Sequence, residues 1–173
     1  MEHKLSYVHG ASKVALIGDT IGSYFDHVAK RYAEREALVV RHQGIRWNYR
    51  ELRERVDNLA AGFSRLGLSP GDRIGIWSQN CAEWVLTQFA TAKAGLVMVN
   101  INPAYRRAEL EYALKKVGCK ALILAPRFKT SDYLAIAQDV VPEIAASQPG
   151  RVVSASLPDL RWVIRLGDEK TPG

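Results

Sequence analysis

Residues 73–100 read RIGIWSQNCAEWVLTQFATAKAGLVMVN, and this stretch carries the pattern that predicts the fold. A short apolar run at 73–77 is followed by an almost uniformly apolar segment at 82–94 and a second apolar run at 96–99. Apolar runs without polar alternation are typical of strands that are covered on both faces. The stretch therefore predicts a strand, a helix and a second strand parallel to the first.

The flanking sequence continues this alternation. The further predicted elements are a helix over 20–34, a β-hairpin around Gly44, a helix opened by Asn48 and closed by Gly67, helices over 107–117 and 131–146, and strands over 121–124 and 161–166. Strand–helix–strand repetition with short connections predicts an α/β fold, a mainly parallel sheet covered by helices on both faces. Residues 1–19 are predicted to be a loose N-terminal segment, and residues 20–173 the folded domain.

Composition and charge exclude several classes of protein. A length of 173 residues suits one compact domain. The net charge of +6 comes from bases interleaved with acids, as in 50–57, which is typical of a solvated helix face rather than of a nucleic-acid surface. The excess positive charge would instead attract a small anion such as a nucleotide. No apolar run is long enough to cross a membrane, and the N-terminus lacks a signal-peptide pattern, so we expect a cytoplasmic protein.

Cysteine and histidine usage indicates neither a metal site nor a disulfide. The two cysteines, Cys81 and Cys119, are predicted near opposite ends of the sheet, and the four histidines are scattered. Cys81 stands beside a predicted helix start, which can lower the pKa of a thiol. A structural role for this small residue is the favoured interpretation.

Three predicted loops follow the carboxyl ends of strands, where open parallel sheets bind ligands. Residues 78–80 are interpreted as a helix cap. Residues 100–106 include Asn100, Asn102 and Tyr105, which are candidates for a substrate-side loop. The equally weighted alternative for this loop is a turn fixed by its proline, with Asn side chains bonding the local backbone.

The third loop, 125–130, places Arg127 and Lys129 beyond a strand end, where cations can meet a phosphate. Exposed loop cations are common, so chance placement is the alternative. The chain contains no G-x-G-x-x-G, G-x-x-x-x-G-K-[ST], G-x-S-x-G or H-E-x-x-H motif and no distinctive carboxylate pair. The sequence therefore predicts no catalytic residue and no metal ligand.

Two segments carry a family resemblance. Residues 71–84, GDRIGIWSQNCAEW, and residues 92–105, AKAGLVMVNINPAY, resemble the adenylate-forming (AMP-binding) superfamily, and within it the medium- and long-chain fatty-acyl-CoA synthetases. Residues 47–52, 107–112 and 160–164 fit the same register. The resemblance spans roughly residues 20–166 and implies an incomplete portion of the large N-terminal domain of such a synthetase.

Members of this family join a fatty acid to AMP, using ATP and Mg²⁺, and then pass the acyl group to CoA. The resemblance implies that the phosphate loop and the mobile C-terminal domain lie downstream of these residues, so the chain alone is expected to be an inactive scaffold that binds none of these cofactors tightly. By the same resemblance, Arg127 and Lys129 stand where some relatives contact the nucleotide part of CoA. The alternatives are a non-catalytic interaction module and one half of a split ligase. A homodimer or a complementing C-terminal portion is the expected protein partner.

Overall fold

The computed structural model describes residue 10 and residues 14–173. Its elements, in chain order, are α1 (Ile21–Arg31), β1 (Glu36–Val40), β2 (Ile45–Asn48), α2 (Tyr49–Arg65), β3 (Arg73–Trp77), α3 (Ala82–Ala94), β4 (Val97–Ile101), α4 (Arg107–Val117), β5 (Cys119–Leu124), β6 (Arg127–Phe128), β7 (Ser131–Asp132), α5 (Tyr133–Val140) and β8 (Trp162–Arg165), with short 3₁₀ turns at Arg41–Gln43 and Pro142–Ala146. Most of the predicted loose segment, residues 1–9 and 11–13, lies outside the described residues. Residues 14–20 contain neither helix nor strand.

The central sheet has four parallel strands in the order β4-β3-β5-β8. Side chains alternate between its two faces, so Ile74 and Ile76 pack with α1, α2 and α3, whereas Trp77 packs with α4 and α5. Ile74, Ile76 and Trp77 have no exposed surface. The predicted parallel sheet with helices on both faces is therefore confirmed.

The β1–β2 hairpin and α2 also form as predicted. Gly44 ends the 3₁₀ turn with a φ of 66°, a left-handed conformation that glycine adopts without steric cost. At the start of α2, the Asn48 side chain accepts from the Glu51 backbone N–H at 2.8 Å, and the Glu51 carboxylate accepts from the Asn48 N–H at 2.9 Å. This reciprocal pair is a capping box, and it fixes where the hairpin ends and the helix begins.

Several predicted boundaries differ from the structure. The first helix, expected over 20–34, ends at Arg31, and the strand expected over 121–124 begins at Cys119. The helix expected over 131–146 spans only Tyr133–Val140, because Val141 precedes a proline and leaves the helical region with φ −134° and ψ 79°. The loop expected over 125–130 contains most of a small hairpin, β6–β7. The loop expected to begin at Asn100 begins two residues later, because β4 continues to Ile101 in register with Trp77.

Candidate functional site

The carboxyl edge of the sheet is the candidate site. Strands β3, β4, β5 and β8 all run in the same direction, so their ends at Trp77, Ile101, Leu124 and Arg165 lie along one edge. The connections that follow β3, β4 and β5 are residues 78–81, residues 102–106 and residues 125–132, the last of which contains the β6–β7 hairpin. We call residues 102–106 the Asn-Pro loop and residues 127–132 the basic hairpin.

The Asn-Pro loop is an ordered turn. The backbone oxygen of Asn102 accepts from the Tyr105 N–H at 3.0 Å and from the Trp77 indole Nε1 at 3.1 Å. The side-chain oxygen of Asn102 accepts from the Ala104 N–H at 2.9 Å, a turn that Asn favours. The Asn102 amide oxygen thus has the local structural role, while the exposed side chain of Asn100 projects from β4 and that of Tyr105 is half-buried.

An aromatic pair supports this loop from beneath. Trp77 and Tyr133 stack with ring centroids 3.8 Å apart and an interplanar angle of 15°, and both are fully buried. The Tyr133 hydroxyl donates to the Pro103 carbonyl oxygen at 2.6 Å. Burial raises the pKa of the Tyr133 phenol, and the charge of Arg106 opposes this effect. The phenol therefore stays protonated near neutral pH and serves as a donor.

The basic hairpin carries two exposed cations, Arg127 at its base and Lys129 at its turn. Arg127 lies opposite Asp132 in the ladder, and Phe128 lies opposite Ser131. Lys129 adopts a φ of 51°, which L-residues other than glycine rarely adopt. Within residues 14–173, neither Arg127 nor Lys129 forms an ion pair with a carboxylate. Both predicted cations are thus accessible to an anion from solution.

The start of α3 is capped from a distant part of the chain. Residues 78–80 were expected to cap this helix, but the cap position is Cys81, which provides no side-chain capping hydrogen bond. Instead, the Gln43 side chain accepts from the Ala82 N–H at 2.7 Å and donates to the Glu83 carboxylate oxygens at 2.9 and 3.2 Å. The β1–β2 turn therefore fixes the end of the loop that follows β3.

Both thiols are structural. Burial raises the pKa of Cys81 despite its hydrogen bond with Ser78, so the position at the helix start does not lower the pKa of this thiol. Burial raises the pKa of Cys119 to about 11. The favoured structural interpretation of Cys81 agrees with this environment, and both cysteines are free.

Arg165 is a further cation at the carboxyl edge, and the sequence reasoning missed it. Its side chain is only 11% exposed, and its guanidinium bonds the Glu169 carboxylate at 2.5 Å and the Glu169 carbonyl oxygen at 3.0 Å. The buried Nε has no partner within the described part of the chain. An arginine at the last position of an otherwise apolar strand is the sequence signal that could have identified it.

An apolar cavity of about 420 Å³ lies between α2, α3 and the β5–β8 side of the sheet. Its apolar lining residues are Leu59, Phe63, Leu66, Leu86, Ile123, Ile164 and Leu166. A second cavity of about 420 Å³ lies between α1, α3 and the β1–β2 hairpin. Parallel sheets are normally covered by helices on both faces. The first cavity shows that α2 and α3 leave part of their face of the sheet uncovered beside β8.

Among residues 14–173, no group of three His, Cys, Asp or Glu side chains is arranged to hold a metal ion. In the same part of the chain, no helix is both long enough and apolar enough to span a bilayer.

Comparison with known proteins assigns the family. The profile of the AMP-binding enzyme family matches residues 25–168. The mitochondrial medium-chain acyl-CoA ligases ACSF2 of Mus musculus and Homo sapiens are 46% and 47% identical over 98% of the chain. A crystal structure of a provisionally assigned long-chain-fatty-acid CoA ligase from Rhodopseudomonas palustris superimposes with a TM-score of 0.73 at 25% identity, over 89% of this chain and 34% of that one.

The chain therefore belongs to the AMP-binding enzyme family, and its fold matches the N-terminal domain of acyl-CoA ligases. It spans 27% of the length of the curated ACSF2 relatives that it matches. The resemblance to acyl-CoA synthetases drawn from the sequence is confirmed. The relatives are named as mitochondrial, so the cytoplasmic location stays a prediction.

Proposed function

We propose that this chain is a structural portion of an ATP-dependent fatty-acyl-CoA synthetase, the first subdomain of its large N-terminal domain. The whole enzyme would convert a fatty acid, ATP and CoA to acyl-CoA, AMP and pyrophosphate through an acyl-adenylate. The observation that carries this proposal is the 46–47% identity to medium-chain acyl-CoA ligases, maintained over 98% of the chain. Residues 20–173 would supply scaffold and one wall of the ligand region.

Residues 14–173 lack the groups that would bind some of the ligands of that reaction. Mg²⁺ prefers several oxygen ligands, and residues 14–173 contain no suitable cluster. The sequence also lacks a glycine-rich phosphate loop. No step of adenylation is therefore assigned to these residues, and the chain by itself is proposed to be inactive. ATP, Mg²⁺ and CoA belong to the proposed activity of the whole enzyme.

CoA carries phosphates, and the basic hairpin offers the matching charge. Arg127 and Lys129 are exposed, lie at the carboxyl edge and have no carboxylate partner within residues 14–173. We propose that they contact CoA phosphates, weakly in this chain alone because two exposed cations supply little binding energy. Asn100, Asn102 and Tyr105 are the proposed substrate-side residues. Asn100 pairs with Ile76 and lies on that face of the sheet, whereas Tyr105 packs on the Trp77 face.

Other assignments rest on the same family relationship. A complementing polypeptide or a second copy of the chain remains the proposed protein partner, and the apolar cavity beside β8 is a surface that such a partner could cover. A non-catalytic module and one half of a split ligase are the competing functions. The location in the cell is proposed as cytoplasmic from the sequence, whereas the relatives point to mitochondria.

A segment exchange tests the proposed function. The chain would replace the matching segment of the human ACSF2 relative, and the chimera would be assayed for acyl-CoA formation from a medium-chain acid. Formation of acyl-CoA supports a synthetase portion. A folded chimera without acyl-adenylate or acyl-CoA would contradict it. ATP–pyrophosphate exchange by the isolated chain is expected to be absent, and measurable exchange would refute the inactive-scaffold proposal.

A further inference from the structure

The Asn-Pro loop and the basic hairpin are joined by direct contacts. Tyr133 begins α5 directly after the hairpin, and its backbone N–H donates to the Pro126 oxygen at 3.1 Å. Its side chain crosses to the other connection and donates to the Pro103 oxygen at 2.6 Å. One buried residue therefore bonds the base of the hairpin with its backbone and the Asn-Pro loop with its hydroxyl.

Tyr133 has little freedom to move independently of these connections. Its ring is fully buried and stacked on Trp77, whose indole donates to the Asn102 oxygen in the same loop. The Asp132 side chain accepts from the Ala135 N–H at 2.9 Å and caps α5 beside it. A displacement of the hairpin must therefore move the aromatic pair or break a bond to the loop.

A second contact joins the same segments at the surface. The Arg106 guanidinium donates to the Ser131 hydroxyl at 2.8 Å, which connects the end of the Asn-Pro loop to β7. Ser131 lies opposite Phe128 and two residues from Lys129. This contact is exposed, so we expect it to contribute less than the buried bond from Tyr133.

We propose that Tyr133 is a positioning residue that couples the basic hairpin to the Asn-Pro loop, so that a phosphate-bearing ligand held at the hairpin changes the order of the loop. The coupling to a ligand rests on the proposed function of Arg127 and Lys129. The mechanical link between the two segments stands on the contacts alone. The two parts therefore need separate measurements.

The first measurement is amide hydrogen exchange of the ligand-free, 173-residue chain by NMR. Tyr133→Phe retains the ring and removes only the hydroxyl, so exchange of the Tyr105 amide should accelerate about 2- to 13-fold, the equivalent of one hydrogen bond. The Trp77 indole N–H resonance should shift as well. Ser131→Ala should give a smaller effect. Tyr112→Phe, on the exposed side of α4, is the matched control and should leave the Tyr105 amide unchanged. An unchanged Tyr105 amide and Trp77 indole in Tyr133→Phe would overturn the positioning role.

The second measurement is titration of the same chain with coenzyme A. In the wild type, amides of the hairpin and of Ala104 and Tyr105 should shift together. In Tyr133→Phe the hairpin shifts should persist, with a midpoint changed by the loss of the coupling free energy, while the loop shifts disappear. The coupling would be overturned if the loop amides still shifted in Tyr133→Phe. It would also be overturned if the hairpin amides shifted in the wild type while the loop amides did not. If neither segment shifts in the wild type, the proposed CoA contact fails and the ligand coupling fails with it, and the exchange experiment still decides the mechanical link.

Discussion

Gln43 is the residue whose removal tests the long-range organisation of the fold most directly. Gln43→Ala deletes the acceptor for the Ala82 N–H and both donor contacts to the Glu83 carboxylate. Loss of a helix cap costs about 1 kcal/mol, and a hydrogen bond to a charged group contributes about 1.5–3 kcal/mol in buried settings. Because Gln43 and Glu83 are half-buried, we expect the free energy of unfolding to fall by about 2 kcal/mol at pH 7.

The assay is urea unfolding followed by circular dichroism, with Arg41→Ala, an exposed change in the same turn, as the control. Burial disfavours the Glu83 carboxylate, but the Gln43 hydrogen bond and other contacts outweigh it and keep the pKa of Glu83 below its usual range. A carboxylate whose pKa is lower in the folded state than in the unfolded state stabilises the fold at pH values above the unfolded-state pKa. This stabilisation is lost as the pH falls through the folded-state pKa. The deficit of Gln43→Ala should therefore be smaller at pH 3 than at pH 7. A loss at pH 7 no larger than that of Arg41→Ala would refute the distant cap.

Three further predictions concern stability and thiol chemistry. Lys93→Met removes a mostly buried ammonium that bonds Asp26 at 2.7 Å and also contacts Asp57, so urea unfolding should show a loss of about 1–3 kcal/mol at pH 7. Burial opposes ionisation of Asp26, but Lys93 and Arg53 hold its pKa below the usual range. The loss of unfolding free energy in Lys93→Met should therefore shrink as the pH falls below the unfolded-state pKa of Asp26. A loss that does not depend on pH would contradict this. Gly150→Ala places a Cβ that clashes with the Trp162 ring at a φ of 73°, whereas Gly44→Ala, at a φ of 66°, meets nothing within 4 Å. The Gly150 variant should therefore melt at the lower temperature of the two, and equal melting temperatures would refute the clash. Cys81 and Cys119 should resist Ellman's reagent in the native state and react after unfolding, because burial raises the pKa of both thiols; rapid native labelling would argue against their burial.

Local patterns were sufficient to predict most of the secondary structure. β3, β5 and α3 were predicted from unbroken apolar segments, and α4 from apolar residues at helical spacing, so in each case neighbouring residues carry the signal. The end of α5 before Val141 was missed, although the sequence contains the signal for it, because Pro142 disfavours a helical residue before it. The basic hairpin could not be predicted from the sequence, because each of its strands has only two residues and its turn lacks the Asn-Gly or Gly-rich signal of such hairpins.

Contacts between distant residues limited the prediction of the site. The predicted parallel direction of the strands was enough to place the loops at one edge of the sheet. No local pattern links Gln43 to Ala82 or Tyr133 to Trp77, because these pairs meet only after the sheet and helices have packed. The role of Asn102 was left open between ligand contact and turn formation, and the bond from Ala104 favours the turn for its side-chain oxygen.

The strand order has a consequence for synthesis on the ribosome. β3 is an inner strand, yet both of its neighbours, β4 and β5, are translated after it. Until Leu124 has emerged, Ile74 and Ile76 lack a hydrogen-bonded strand on one side, although in the finished fold they have no exposed surface. We therefore expect a nascent chain at this stage to bind chaperones that recognise extended apolar segments, and to lose that affinity once β5 is in place.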